Sequence, residues 1–252
     1  MIQGMYTAAA GMLAVESRQF SIANNIANAA TTGYKRQFPI QLGFYQVFSQ
    51  SLRRPFHFDI EAAPAGGVKV VETYPDLNAG TLRTTENPLH VALQGPGFFV
   101  LDTPRGPRYT RAGDFTADLA GNLATQNGHL VQSVTGQPIS VRGGTVNIDR
   151  EGRVSVDGAQ TGQIRVVEFA APHRLMREGD SLYAASEAVA AGMAAAVNTS
   201  VEQNQLEMSN VNLPREMTMM LLGMRAYEAN QRVIQALDAT MGRLIESVGM
   251  PL

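Results

Sequence analysis

Apolar positions recur at two different periods along the chain, and the change of period divides it into three stretches. Over the first ~30 residues there is no Pro, and Ala and Met recur at helical spacing, so the stretch reads as a helix. In seven-residue steps Met5, Met12 and Ile26 share one face with Gln19. Gly33 reads as the helix stop, with Lys35 and Arg36 just beyond it. A longer helix is predicted from about Asn212 to Val248, where Pro214 and Glu216 suit a first turn. Alternating steps of four and three along it give Met217, Met220, Met224, Tyr227, Gln231, Ile234, Asp238, Met241, Ile245 and Val248, a coiled-coil-like seam in which only Gln231 and Asp238 are polar. A second stripe runs Leu222, Ala226, Ala229, Val233, Ala236, Thr240 and Leu244. A surface helix needs one apolar face, so two stripes predict packing against more than one neighbour.

Between the helices, from about Gly66 to Tyr183, short β-branched runs alternate with turn signals such as Gly121-Asn122, Asn127-Gly128 and Glu151-Gly152. Here the pattern predicts an all-β domain. "GPGFF" places Gly95 and Gly97 in a tight strand-entry turn ahead of a buried Phe98-Phe99 pair. The Ala-rich stretch Ala184 to Ser200 reads equally as a short helix or a linker. The expected fold class is therefore α+β, a discontinuous N- and C-terminal α-helical coiled-coil domain with an inserted all-β domain. Its parts are paired terminal helices at 1–33 and 210–252, connecting segments at 34–79 and 184–209, and a β-rich outer domain at 80–183.

One feature cuts across the helical pattern. Asn24, Asn25 and Asn28 stand where the first helix should still be running, although Asn competes with the backbone for hydrogen bonds. Asn24 and Asn28 are four apart and share a face, while Asn25 points elsewhere. A buried amide is costly unless paired, so these residues are read as devices that fix register at an interface.

Composition narrows the function. In 252 residues the net charge is −2, which leaves no basic footprint for nucleic acid. Charged residues make up 17% of the chain, low enough to favour assembly, since little self-repulsion keeps copies apart. With no Cys there are no disulfides, thiolate metal sites or Cys nucleophiles. The start lacks a basic n-region, and Glu16 and Arg18 interrupt any apolar core, so no cleaved secretory leader is expected. The longest apolar run, Ala188 to Val197, is too short to span a membrane.

Catalytic signatures are missing. His57, His90, His129 and His173 are scattered without ligand spacing. Asp149 to Val154 superficially resembles a Ca²⁺ loop but lacks the alternating oxygen ligands, so a hairpin turn is expected. No catalytic, cofactor-binding or metal-binding residue is assigned. The Met-rich stripe reads either as plain core or as an adaptable assembly surface, since Met packs several slightly different neighbours.

The ends of the chain carry a resemblance. "ANNIANAATTGYKR" (Ala23 to Arg36) resembles the N-terminal signature of bacterial flagellar rod and hook proteins. "GMYTAAAGMLA", "GTLRTTENPLHVALQGPGFFVL", "RYTRAGDFTADLAGNLATQNGHLV" and the segment Leu206 to Gly249, with its "SNVN" and "RAYEAN" cores, are similar to further signatures in the same order. His90 stands where the family commonly has Asp, and Met224 where it commonly has Gln. Length and layout point to a basal-body rod protein, proximal or distal, rather than the usually longer hook protein.

The resemblance implies a subunit of a helical, periplasmic tube that transmits torque from motor to hook, exported by the flagellar type III apparatus without a cleaved signal. It implies partnership with copies of itself, with other rod and hook-basal-body subunits, and with the peptidoglycan-layer and outer-membrane bushing rings. Neither a cofactor nor a membrane span is implied. Expected interface residues are Met5, Met12, Asn24, Asn25, Ile26, Asn28, Met217, Met220, Met224, Arg225, Tyr227, Glu228, Asn230, Ile234 and Met241, with Gly33, Gly95 and Gly97 as structural turns. Rival readings are a hook-type subunit, a peptidoglycan-interacting β domain, which requires a cleft with paired carboxylates, and an unrelated coiled-coil oligomer closed into a small ring.

Overall fold

A computed structural model describes residues 2–42 and 69–249. Its mixed helix and strand content makes it α+β, with long helices at both ends of the chain flanking a β-rich region. The chain divides into two compact units. A helical unit takes 1–27, 37–74 and 212–252, and a β unit takes 28–36 and 75–211.

In the helical unit, α1 spans Ile2–Ala27. It ends before Gly33, the expected stop, because residues 28–33 leave the helix as a turn in which Thr31 N donates to Asn28 O. A second short helix, α2, spans Glu187–Ala190 in the β unit. The long C-terminal helix, α3, spans Leu213–Gly249, close to the expected bounds. Asn212 caps it, with Oδ1 accepting from Arg215 N at 3.0 Å. Its 37 residues make it ~55 Å long. No helix among the described residues is long and apolar enough to cross a membrane.

The two long helices run antiparallel. A β-carbon built on Gly4 would meet Leu237, one on Gly11 would meet Asn230, and one on Gly223 would meet Gln19, while Asn25 bonds to Glu216. Both series advance in steps of about seven, so one face of each helix meets the other along its length. Strand Gln37–Leu42 pairs with Lys69–Pro75 in the same unit.

Every strand pairing described in the β unit is antiparallel. Its largest sheet runs 176–179, 182–184, 108–110, 98–102, 130–131, 123–124, 116–117, with 166–169 joining 98–102 to 193–195. Strand 98–102 organises the interior, because alternate side chains of a strand point to opposite faces. Phe99 and Leu101 enter one core with Phe115, Leu123 and Val154. Phe98 and Val100 enter another with Tyr109, Phe169 and Tyr183. Phe98 makes edge contacts with Phe169 and Tyr183, both at 5.8 Å between centroids, a favoured aromatic geometry. The expected buried Phe pair is therefore present, split between two cores.

Residues 184–209 are not a connecting segment. Met193–Ala195 pairs with Val166–Phe169, Ser200–Gln203 pairs with Val91–Gln94, and Gln205–Glu207 pairs with Leu82–Thr84. An Ala-rich sequence has no strong period of its own, and its strand state comes from partners distant in sequence. The other expected connector, 34–79, lies partly outside the described residues. Within it, 34–36 and 75–79 belong to the β unit. Asp149 to Val154 forms the expected hairpin turn, with Asp149 Oδ1 accepting from Glu151 N and Arg153 N.

Candidate functional site

The seam between α1 and α3 is narrower and more polar than the Met stripe suggested. On α3 the inward positions are Glu216, Met220, Gly223, Asn230, Ile234, Leu237 and Met241, all buried or half-buried. The row containing Met220, Ile234 and Met241 is as expected. The neighbouring row is not, because Met217 and Met224 are exposed and Glu216, Gly223, Asn230 and Leu237 take the inward positions. Burial here follows close approach rather than hydrophobicity. Gln19 Nε2 donates to Met220 O at 2.8 Å, and a β-carbon at Gly223 would lie 2.3 Å from that nitrogen. A side chain at this position would push the Gln19 amide out of its place against Met220 O.

On α1, Met5, Met12 and Ile26 are half-buried. Arg225, Tyr227 and Glu228 on α3 are exposed. An open groove of about 450 Å³ lies along one flank, lined by Glu16, Gln19, Met220, Met224, Tyr227 and Glu228. Gln19 Oε1 is buried and has no hydrogen-bond partner among the described residues. The expected seam positions Ile245 and Val248 lie outside the described side chains.

The Asn-rich signature does not act as its spacing suggested. Asn25, set aside as pointing elsewhere, is the buried one. Its Nδ2 donates to Gln37 O at 3.0 Å and to Glu216 Oε2 at 3.3 Å, and its Oδ1 accepts from Gln37 N at 2.9 Å. One side chain thus mimics a strand partner for Gln37 and holds the first turn of α3. Asn24 is half-buried on α1. Asn28 lies beyond the helix end and shares a turn with Thr31, 3.3 Å from side chain to side chain, so the two do not form one helix face.

The following residues of the same signature form a clasp inside the β unit. Gly33 has φ +65°, a left-handed conformation that favours glycine. Its N–H donates to Glu207 O at 2.7 Å, and a β-carbon there would lie 2.3 Å from Ala112 N. Tyr34 is fully buried, with the Arg177 guanidinium 4.1 Å from its ring centroid. Lys35 Nζ reaches Glu207 Oε1 at 2.6 Å and Asn78 O at 2.8 Å. Glu207 Oε1 also accepts from Gly80 N, and its Oε2 lies 3.5 Å from Arg111 Nη1.

Two cations and one carboxylate are therefore buried together. Burial pushes the Lys35 ammonium below the usual lysine range, with the Glu207 charge working against it. Burial lowers Arg111 in the same way. Arg36 N donates to Asn210 Oδ1, and Asn210 Nδ2 donates to Asp76 O and Asn78 O. The end of the first signature, Gly33 to Arg36, and the start of the last, Leu206 to Asn210, thus meet in the fold.

Gly95 has φ +137° and Gly97 N donates to Thr199 Oγ1 at 2.9 Å, so both serve the turn into strand 98–102. Among the described residues no group of three or more His, Asp or Glu side chains is placed to hold a metal ion. The geometry offers surfaces and braces rather than a reaction centre.

Comparison with known proteins agrees with the two braced signatures. Residues 5–35 match the model described as Flagella basal body rod protein. Residues 92–164 match the Flagellar hook protein FlgE/F/G D1 domain, and 202–247 match the Flagellar basal body rod FlgEFG protein C-terminal. The flagellar basal-body rod protein FlgG of Caulobacter vibrioides is 34% identical, covering 94% of this chain and 96% of the relative. FlgG of Bacillus subtilis is 30% identical over 97% and 98%, and the rod protein FlgF of Rhizobium meliloti is 28% identical over 99% of both. This chain belongs to the flagellar basal-body rod protein family and is a structural subunit of the rod.

Proposed function

We propose that copies of this chain polymerise helically into a periplasmic drive shaft that transmits torque from motor to hook, with α1 and α3 forming its packed coiled-coil layer. The observation that carries this reading is the apolar surface left open on both helices. Leu13, Phe20, Met217, Leu221, Leu222, Met224 and Val233 are all exposed in the single chain. Large apolar side chains exposed along both helices are the kind of surface that marks an interaction site. A helical tube uses heterologous, non-closing contacts in which one patch meets a different patch on the next copy.

Within this reading Met217, Met224, Arg225, Tyr227 and Glu228 contact neighbouring subunits, while Asn25, Asn230 and Ile234 hold the helices of one subunit together. The partners are other copies, the adjoining rod and hook-basal-body subunits, and the bushing rings around the rod. Export runs through the flagellar type III apparatus, and the chain performs no catalysis. Met224→Glu tests the reading. Met224 is exposed in the single chain, so the fold should change by no more than about 0.5 kcal/mol. Assembly should fail, because the carboxylate would be buried unpaired between copies. Normal rods and normal swimming in this variant would remove Met224 from the interface.

A further inference from the structure

Two rows of side chains on the helical unit are exposed from end to end. On α1 the row is Ala9, Leu13, Glu16, Phe20, Ala23 and Ala27, in steps of four and three. Leu13 is 66% exposed and Phe20 75%. The row is centred on the far side of α1 from Gly4 and Gly11, which face α3, and Glu16 stands at its edge beside the groove lined by Met224 and Glu228. On α3 the row is Leu222, Ala226, Ala229, Val233, Ala236 and Thr240, again in steps of four and three and again exposed throughout. Leu222 is 54% exposed and Val233 48%. The rows cover equal lengths of helix, 9 to 27 and 222 to 240, ~27 Å at about 1.5 Å per residue.

Their chemistry is complementary. The α1 row carries two large knobs, Leu13 and Phe20, and the α3 row carries Ala226, Ala229 and Ala236 as holes. The α1 row also carries Glu16. Arg225 and Arg232 border the α3 row, each one residue before a row position. Glu16, Arg225 and Arg232 make no ion pair among the described residues. Charge also selects the pairing. Two α1 rows packed on each other would bring Glu16 residues together, and two α3 rows would bring arginines together, whereas α1 against α3 joins opposite charges.

We propose that the α1 row of one copy packs into the α3 row of a second copy, with Glu16 meeting Arg225 or Arg232. Every copy carries both rows, so the contact propagates instead of closing. The inference rests on the rod-subunit reading above and adds which face meets which.

The chain has no cysteine, so introduced thiols are the only ones in it. Phe20→Cys is combined in turn with Ala226→Cys, Ala229→Cys and Val233→Cys, each expressed as the sole copy, and purified hook-basal bodies are oxidised mildly. At least one pair should give a ladder of multimers that reductant collapses. Each single variant should give none, as should Phe20→Cys with Leu119→Cys, whose second site lies in the β unit. Rods that contain the chain but give no ladder from any row pair overturn the proposal.

Charge reversal keeps the proposal testable if a Cys pair fails to assemble. Glu16→Arg should cut swimming at least about tenfold, and adding Arg225→Glu with Arg232→Glu should restore most of it. Reversal without effect, or a triple variant no better than Glu16→Arg alone, also overturns it. Absence of the unmodified chain from purified basal bodies would instead sink the rod-subunit reading.

Discussion

The β unit closes on itself and the helical unit does not. In the β unit both faces of strand 98–102 are covered, and the large aromatics Phe98, Phe99, Phe115 and Tyr183 are almost fully buried. In the helical unit two long helices touch along one face, where Gly223, Asn230 and Glu216 are interspersed with Met220, Ile234, Leu237 and Met241. The larger apolar side chains Leu13, Phe20, Leu221 and Leu222 point outward. Helices gain most of their stability from burying an amphipathic face. On the function proposed above, the exposed apolar groups of this unit are covered by neighbouring subunits, whereas the β unit is closed in the single chain.

The sharpest test of that contrast is hydrogen exchange on dilute, unassembled chain. Amides in 98–102 and 108–110 should be protected up to the global stability of the β unit, while those in 9–27 and 217–241 should exchange by local opening at far lower cost. The difference should span orders of magnitude in rate. Comparable protection in the two units would show the helical pair to be stable alone.

Next in size is Glu207→Gln. The amide keeps the shape but leaves Lys35 and Arg111 as buried cations with no carboxylate between them. Breaking a buried pair in this way costs about 3–5 kcal/mol, on the order of 10 °C in melting temperature for a unit of this size. A loss below about 1 kcal/mol in chemical denaturation would mean that the clasp does not hold the β unit shut.

Asn25→Ala probes the other side of the comparison. It removes both hydrogen bonds to Gln37 and the one to Glu216, at a cost of about 1–3 kcal/mol. The helical circular-dichroism signal should melt earlier while the β transition stays in place. A shift of both transitions together would contradict the separation into two units.

How far the sequence disclosed these features depended on how local each signal was. The two long helices and the β stretch were legible because side-chain period is set by nearest neighbours. The row of Met220, Ile234 and Met241 was legible for the same reason. Glu216 and Gly223 were passed over as packing positions because neither is apolar, whereas Asn230 was named as an interface residue. The inward placement of all three depends on what α1 presents, including the Gln19 amide that lies against Gly223. Met217 and Met224 were assigned to the seam because they are apolar, although both are exposed, with Met224 on the rim of the groove beside Glu16 and Gln19.

The strands within 184–209 were hidden by an Ala-rich composition, and their pairing is supplied by residues 82–94 and 166–169. The clasp joins Lys35 to Glu207 across 172 residues, a separation at which charge pairs leave no local trace. Gly33 was rightly singled out, but its φ serves a turn inside the β unit rather than the end of α1.

The smallest expected effect tests how completely the β unit is finished. Tyr183 is fully buried, yet its hydroxyl has no hydrogen-bond partner among the described residues. At pH 7 Tyr183→Phe should therefore change stability by less than about 1 kcal/mol, since it removes a polar group that has no partner to lose. Alkali should separate the two proteins. Burial pushes the Tyr183 phenol from 10.0 up to about 12. Between those values the folded chain keeps a proton that the unfolded chain has released. That contribution is fully present below pH 10 and is lost as pH rises toward 12, amounting to about 3 kcal/mol over the two units. Tyr109 is also raised by burial and adds a slope of the same sign, so the variant should keep part of the alkaline loss. Denaturant midpoints at pH 9 and pH 11.5 should therefore fall less for Tyr183→Phe than for the unmodified chain. Equal falls would mean that water or a shifted side chain reaches the hydroxyl, and that the core around Phe98 and Tyr183 is less closed than its packing indicates.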